Sequence, residues 1–111
     1  MRVKDEDIVE ARLKPKGRPK KVRLIAKEPA ITQFSPRGRP GRPDEILLTL
    51  DQFEALRLAD FKGIDQEQAA KQMGISRATF GRIIRQARFK LSDALIGGKI
   101  IRILGGKVRV G

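Results

Sequence analysis

From Leu48 onward the apolar residues recur at helical spacing, and before it they do not. In "TLDQFEALRLADFKG", Phe53, Leu56 and Ala59 fall on one face. Thr49 followed by Gln52 is the capping-box pair, in which two side chains satisfy backbone N–H groups at the helix start. Gly63 supplies the stop. "DQEQAAKQMG" repeats the arrangement on a smaller scale: Asp65 caps, Gln68 answers it, Ala69 and Met73 face inward, and Gly74 ends the helix. Ser76 then caps a third helix, with only Gly74 and Ile75 outside helical periodicity. Its apolar stripe runs through Phe80, Ile83/Ile84, Ala87, Leu91 and Ala94/Leu95, to about Ile96.

Helix, glycine turn, helix at this spacing is the pattern of a helix-turn-helix. Ala70 falls where two helices approach closely, and Gly74 where the chain turns through a positive φ. Ile75, Phe80 and Ile83 fall where the pair needs apolar contacts with helix one. The competing reading is a plain three-helix bundle with a tight turn.

The flanks differ. Residues 1–43 contain all six prolines, which rules out long helices there. Within that stretch Lys21–Ala26 alternates weakly, which predicts a short strand, and "DEDIVEARL" predicts a helical turn or two. The closing "GGKIIRILGGKVRVG" fits either a hairpin or a single strand paired with Lys21–Ala26, and one short strand at Lys99–Leu104 is expected over two. The expected organisation is a basic Pro/Gly-rich arm over 1–43, a helix-turn-helix domain over 44–96 and a strand-bearing tail over 97–111. The fold class is mainly α, a tri-helical core with short terminal β-strands.

Composition narrows the chemistry. The 111 residues include no Cys, His, Trp or Tyr. That excludes zinc fingers, thiol nucleophiles, Ser-His triads and imidazole bases. The carboxylates form no catalytic dyad and no D-x-D-x-D-G metal loop. No enzyme, cofactor or metal is expected. No run reaches the length of a membrane span, and "KDEDIVEARLKPKG" is no signal core. The expectation is a soluble cytoplasmic protein associated with the nucleoid.

Charge adds most. The net charge is +12, from 25 Lys+Arg against 13 Asp+Glu. Residues 1–43 carry 13 basic and 5 acidic groups, 44–70 carry 2 and 7, and 71–91 carry 6 and 0. Such segregation points to a polyanion on one face. On a helical wheel the third helix sets Ala78, Arg82, Arg85 and Phe89 opposite the core stripe. Arg77, Gly81 and Arg88 lie along one shoulder, with Thr79 and Gln86 along the other. In a groove-reading helix, Ser76, Arg77, Ala78, Thr79 and Arg82 would lie nearest base edges. Arginine takes guanine bidentately, and Ala or a Thr methyl meets the thymine methyl. Arg85, Arg88 and Lys90 lie further along, where phosphate is the expected partner. Gly81 suggests a close backbone approach to DNA or to helix two, or is a tolerated glycine. In the arm, "KPKGRPKK" and "SPRGRPGRP" offer Arg18, Lys20, Lys21, Arg37, Arg39 and Arg42. An extended Arg-Gly-Arg-Pro core resembles a minor-groove AT-hook; the alternative is a solvated linker.

"LDQFEALRLAD", "GIDQEQAAKQMGISRATFGRIIRQARFKLSDAL" and "GGKIIRILGG" together resemble uncharacterised protein family 0251, also called domain of unknown function 134. This small prokaryotic family is expected to bind DNA. The resemblance covers about Lys16 to Gly106 and is most specific from Glu54 to Leu95. The F-x-P-x-G-x-P stretch at Phe34–Pro40 also recurs in the family, usually without these arginines. The helix pair itself is similar to region 4 of sigma-70-type factors, which implies Arg77, Thr79 and Arg82 as base-facing positions. The chain departs from the family in its longer N-terminus, Met1–Leu13, and in Phe89, where a basic residue is expected.

The expected function is therefore sequence-specific binding of double-stranded DNA by a transcriptional regulator. It would act as a homodimer, with the seam at the tail of helix three and the terminal strands. Two rivals stand beside it. One is an architectural, nucleoid-type binder dominated by its arm. The other is a module docking RNA polymerase through the acidic residues Asp51, Glu54 and Asp60 together with Phe89.

Overall fold

The computed structural model describes residues 21–38 and 40–111. Among these the chain order is β1 (Arg23–Ile25), β2 (Gln33–Phe34), β3 (Glu45–Leu48), α1 (Leu50–Leu56), a π-helical turn (Arg57–Phe61), α2 (Gln66–Met73), α3 (Arg77–Gly97), β4 (Ile100–Ile103) and β5 (Val108–Val110). It is a small, mainly α domain with short strands, as the periodicity predicts.

The three helix starts lie where the caps place them. The Thr49 N–H donates to Gln52 Oε1 at 3.0 Å, forming the capping box of α1. Asp65 Oδ1 accepts from Gln68 N at 2.9 Å, and Ser76 Oγ from Thr79 N at 3.1 Å. Gly74 takes φ +69°, and the Ile75 N–H reaches back to the Ala70 carbonyl at 3.0 Å. That geometry ends α2 and lets α3 start at Arg77, after only Gly74, Ile75 and the cap Ser76.

The end of α1 is less regular than the spacing predicts. Lys62 N donates to the Arg57 carbonyl at 2.9 Å, a five-residue step that widens the last turn. Within this wider turn Leu58 is buried and Phe61 is turned out to 85% exposure, while Phe53, Leu56 and Ala59, expected on the core face, are only half-buried.

The core has two parts. Ala55, Leu58, Ala69, Ala70, Met73, Ile75, Phe80, Ile83 and Ile84 fill the space between the helices. Leu48, Ala87 and Ile103 join the middle of α3 to the sheet. Ala70 is 2% exposed, in keeping with a site that admits only a small side chain. Leu95 and Ile96, expected at the end of the core stripe, point outward, and Ala94 alone is buried there.

The strands correct the sequence reading in three ways. The C-terminal segment makes two strands instead of one, because Gly105 and Gly106 take φ +82° and +95° and turn the chain between them. The strand inside Lys99–Leu104, β4, does not pair with Lys21–Ala26. It lies at the centre of a three-stranded sheet, antiparallel to β2 and parallel to β3. The partner of β1 is β5, in a parallel ribbon with Arg23 opposite Val108. Residues 21–38, expected as arm, therefore supply a strand to each sheet.

Candidate nucleic-acid interface

Several basic side chains are paired within the fold. Arg57 is paired with Glu54 at 2.9 Å, Arg102 with Glu45 at 2.9 Å, Lys99 with Asp93 at 2.9 Å and Arg88 with Asp60 at 2.7 Å. Arg77, Arg82 and Arg85, in the first half of α3, are exposed and make no ion pair among the described residues. Unpaired guanidinium groups concentrated on one half of one helix leave a positive potential that the fold itself does not neutralise.

Side chains along the start of α3 are linked. The Ser76 hydroxyl donates to Thr79 Oγ1 at 3.0 Å, and Arg82 Nη2 donates to the same oxygen at 3.2 Å. Ser76, Arg77 and Ala78 are exposed and Thr79 is half-buried. Five of the predicted positions therefore share one accessible surface with Arg85.

Arg88 and Lys90 are placed differently. Arg88 is turned back onto the π-helical turn, donating from Nε to Asp60 Oδ2 at 3.1 Å and from Nη2 to Oδ1 at 2.7 Å. The hydrogen-bonded guanidinium holds the Asp60 carboxyl below its ordinary pKa, and the carboxylate raises that of Arg88. Lys90 Nζ donates to the Leu47 carbonyl at 2.6 Å and to Gln52 Oε1 at 2.9 Å. Both heads, expected on phosphate, have partners within the fold.

Gly81 is buried, and a Cβ there would meet Arg85 Nη1 at 3.4 Å and Gln66 Oε1 at 3.7 Å. These are ordinary contacts with flexible side-chain ends, so packing against α2 does not require a glycine. Phe89 is 71% exposed, as the wheel places it.

Of the arm residues, Lys21, Arg37 and Arg42 are exposed, whereas Arg18, Lys20, Arg39 and the "DEDIVEARL" segment lie outside the described residues. Gly38 and Gly41 take φ +75° and +78°. The chain turns at both, where a minor-groove peptide of the AT-hook type would run extended.

The acidic docking surface is also corrected. Asp51 and Glu54 are 7% and 4% exposed. Asp51 pairs with Arg23 at 3.5 Å, and Glu54 accepts from Arg57 and from the Ala26 N–H. Asp60 faces Arg88. These carboxylates neutralise cations of the same chain instead of presenting charge to a partner.

Two concavities flank the helices. One, of about 680 Å³, lies between α3 and the β1–β5 ribbon. Its Arg23, Gly106 and Lys107 were not anticipated from sequence, because the pairing of β1 with β5 joins segments far apart in the chain. The other, of about 740 Å³, is almost wholly apolar and is lined by Phe34, Phe53, Leu56, Phe61, Leu91 and Ile101. Among the described residues no three His, Cys, Asp or Glu side chains come together as a metal site would need, and no helix is long and apolar enough to cross a membrane.

A family model described as "Protein of unknown function DUF134" matches residues 11–110. A UPF0251 protein of Thermoanaerobacter pseudethanolicus is 49% identical over 94 residues, covering 84% of this chain and 80% of that protein. One from Methanococcus vannielii is 49% identical over 96 residues, covering 86% and 74%. One from Chlorobaculum tepidum is 50% identical over 93 residues, covering 83% and 61%. No solved structure matches the chain.

Proposed function

The chain belongs to the DUF134 family, and we propose that it is a sequence-specific double-stranded-DNA-binding protein acting in transcription. In this reading α2, the Gly74 turn and α3 form a helix-turn-helix of the sigma-70 region 4 kind, and the start of α3 enters the major groove. The observation that carries it is the division along α3: Arg77, Arg82 and Arg85, in its first half, are exposed and hold no carboxylate among the described residues, while Arg88 further along the same helix holds Asp60. Arg82, lying against Thr79 Oγ1, is held toward the exposed face where a guanine edge would stand.

A single module of this size gains specificity by binding as a pair. The apolar groove around Phe34 and Phe61 is the surface on which a second copy would sit. Its charged lining residues, Arg57 and Asp60, are neutralised within the chain by Glu54 and Arg88. Two chains of net charge +12 can therefore meet there without opposing like charges.

The test is selection from random duplex DNA by the full chain, near physiological salt with excess competitor. Two half-sites about one helical turn apart support a dimeric groove reader. A·T-rich DNA without a motif would replace it with the architectural reading, and recovery of no duplex would refute DNA binding.

A further inference from the structure

The cleft beside α3 is bounded by the two terminal strands, and it is held open by backbone contacts. Leu50 N donates to the Gly105 carbonyl at 3.0 Å, and Arg23 N to the Lys107 carbonyl at 3.0 Å. At Gly106 a Cβ would come within 3.0 Å of Asp51 Oδ1 and 3.3 Å of Thr49 Cβ, so the turn sits directly on the start of α1. Leu24, on β1, packs over Gly74, where a Cβ would lie 3.5 Å from its Cδ1. The ribbon is thus anchored at once to the first turn of α1 and to the turn between α2 and α3.

The two shoulders of α3 consequently face different neighbours. Gly81 faces Gln66 at the start of α2. On the other shoulder Ser76, Thr79, Arg82, Gln86 and Lys90 line the cleft, facing Lys21 and Lys107. From Ser76 to Lys90 this wall extends about 21 Å at 1.5 Å per helical residue. That length takes a stretch of nucleic-acid strand, with the α3 wall toward the bases and Lys21 and Lys107 toward the phosphates, and far exceeds a single small anion.

Charge in the cleft is unbalanced in the same direction. Among the described residues its one lining carboxylate, Asp51, is taken up by Arg23, by the Thr49 hydroxyl and by the Gln52 N–H. The Arg23 side chain is 9% exposed, and its buried Nε has no hydrogen-bond partner. Asp51 neutralises this guanidinium and its Nη1 donates to the Lys21 carbonyl at 2.6 Å, which leaves Arg82, Lys21 and Lys107 as cleft cations with no carboxylate among the described residues.

We propose that this cleft seats the sugar–phosphate backbone of one strand of the duplex, with Lys107 and Lys21 on the ribbon gripping phosphates beside the groove that α3 enters. The inference rests on the reading of α3 as a groove-facing helix. It adds a second point of grip, so that α3 and the ribbon would straddle one strand.

The experiment measures the affinity of the full chain for a mixed-sequence duplex of about 30 base pairs, by fluorescence anisotropy between 50 and 200 mM salt. Each lost phosphate contact lowers the slope of log affinity against log salt by about 0.9. The double variant Lys21→Ala/Lys107→Ala should therefore lose about 2 units of slope, and its affinity should fall roughly tenfold less than wild type across that range. Lys62→Ala/Arg102→Ala, which removes two cations that line neither α3 nor the cleft, should keep the wild-type slope. A ribbon variant with the control's slope would overturn the proposal and leave the reading of α3 intact. A wild-type chain that binds no duplex would overturn both.

A second measurement does not depend on loss of affinity. The chain has no cysteine, so Lys107→Cys carries a single attached DNA-cleaving chelate. Cuts confined to one backbone flanking the site support the proposal; absent or evenly spread cuts refute it.

Discussion

Arg88 and Asp60, twenty-eight positions apart, hold each other through two hydrogen bonds of 3.1 and 2.7 Å. The pair divides the basic helix into two parts. Toward its start Arg77, Arg82 and Arg85 are unpaired among the described residues, whereas Arg88 is already committed to the fold. Arg85→Ala should lower the salt slope of DNA affinity by about 0.9. Arg88→Ala should leave that slope unchanged and cost less than about 1 kcal/mol of stability, since the pair is nearly half-exposed. Equal slope changes in anisotropy titrations would remove the distinction.

The same pair sets a pH dependence. The Arg88 hydrogen bonds lower the Asp60 pKa in the folded protein. Its contribution is then complete above the unfolded carboxyl value of about 3.9 and is lost as pH falls through the lower folded value. Asp60→Asn should be less stable than wild type at neutral pH, by less than about 1 kcal/mol. The gap should close below about pH 4, and thermal melts across pH 2.5–7 would read it. A gap that widens in acid would contradict the assignment.

Gly81 and Gly74 should respond oppositely to alanine. At Gly81 the added methyl finds ordinary contacts and the helix gains about 0.5–1 kcal/mol. At Gly74, with φ +69° and Leu24 close above, the same change should cost about 1–2 kcal/mol. Chemical denaturation measures both. Stabilisation by Gly81→Ala together with a loss of DNA affinity would show that the bare backbone there serves the nucleic acid instead of the fold.

Ser76→Ala removes the acceptor for the Thr79 N–H and should destabilise by about 1 kcal/mol. Ser76→Gly should cost only a few tenths of that unit. Because Ser76 Oγ also bonds Thr79 Oγ1, both variants free the hydroxyl beside Arg82. A difference in stability without a difference in binding motif would assign Ser76 to capping alone.

Arg82→Ala should relax preference at one base position by about 1–3 kcal/mol while lowering affinity for other sequences far less. Selection repeated with this variant reads the effect directly. An unchanged motif would take Arg82 out of the groove.

The parts legible in sequence were those fixed by neighbours along the chain. Thr49, Asp65 and Ser76 announced the helix starts because a cap acts over three residues, and Gly74 announced the turn because only glycine takes that φ readily. Exposure of Ser76, Arg77, Ala78, Arg82 and Arg85 followed from helical period alone. What stayed hidden depended on distant partners. Nothing near Arg88 announces Asp60, and nothing in "KVRV" announces that Val108–Val110 will lie beside Arg23–Ile25. The π-helical turn was invisible for a different reason: a one-residue slip changes which side chains are buried without changing the residue types.

The parallel pairing of β1 with β5 also constrains the order in which the chain becomes itself. β1 is among the first described segments to leave the ribosome, and among the described residues its strand partner is the last. The helical core can assemble while synthesis continues, because its contacts are local. Until Val108–Val110 emerge, β1 presents an open strand edge and the wall carrying Lys107 does not exist. A nascent chain would thus acquire its helices before its charged cleft, and any nucleic-acid grip that needs the ribbon would wait until Val108–Val110 are made.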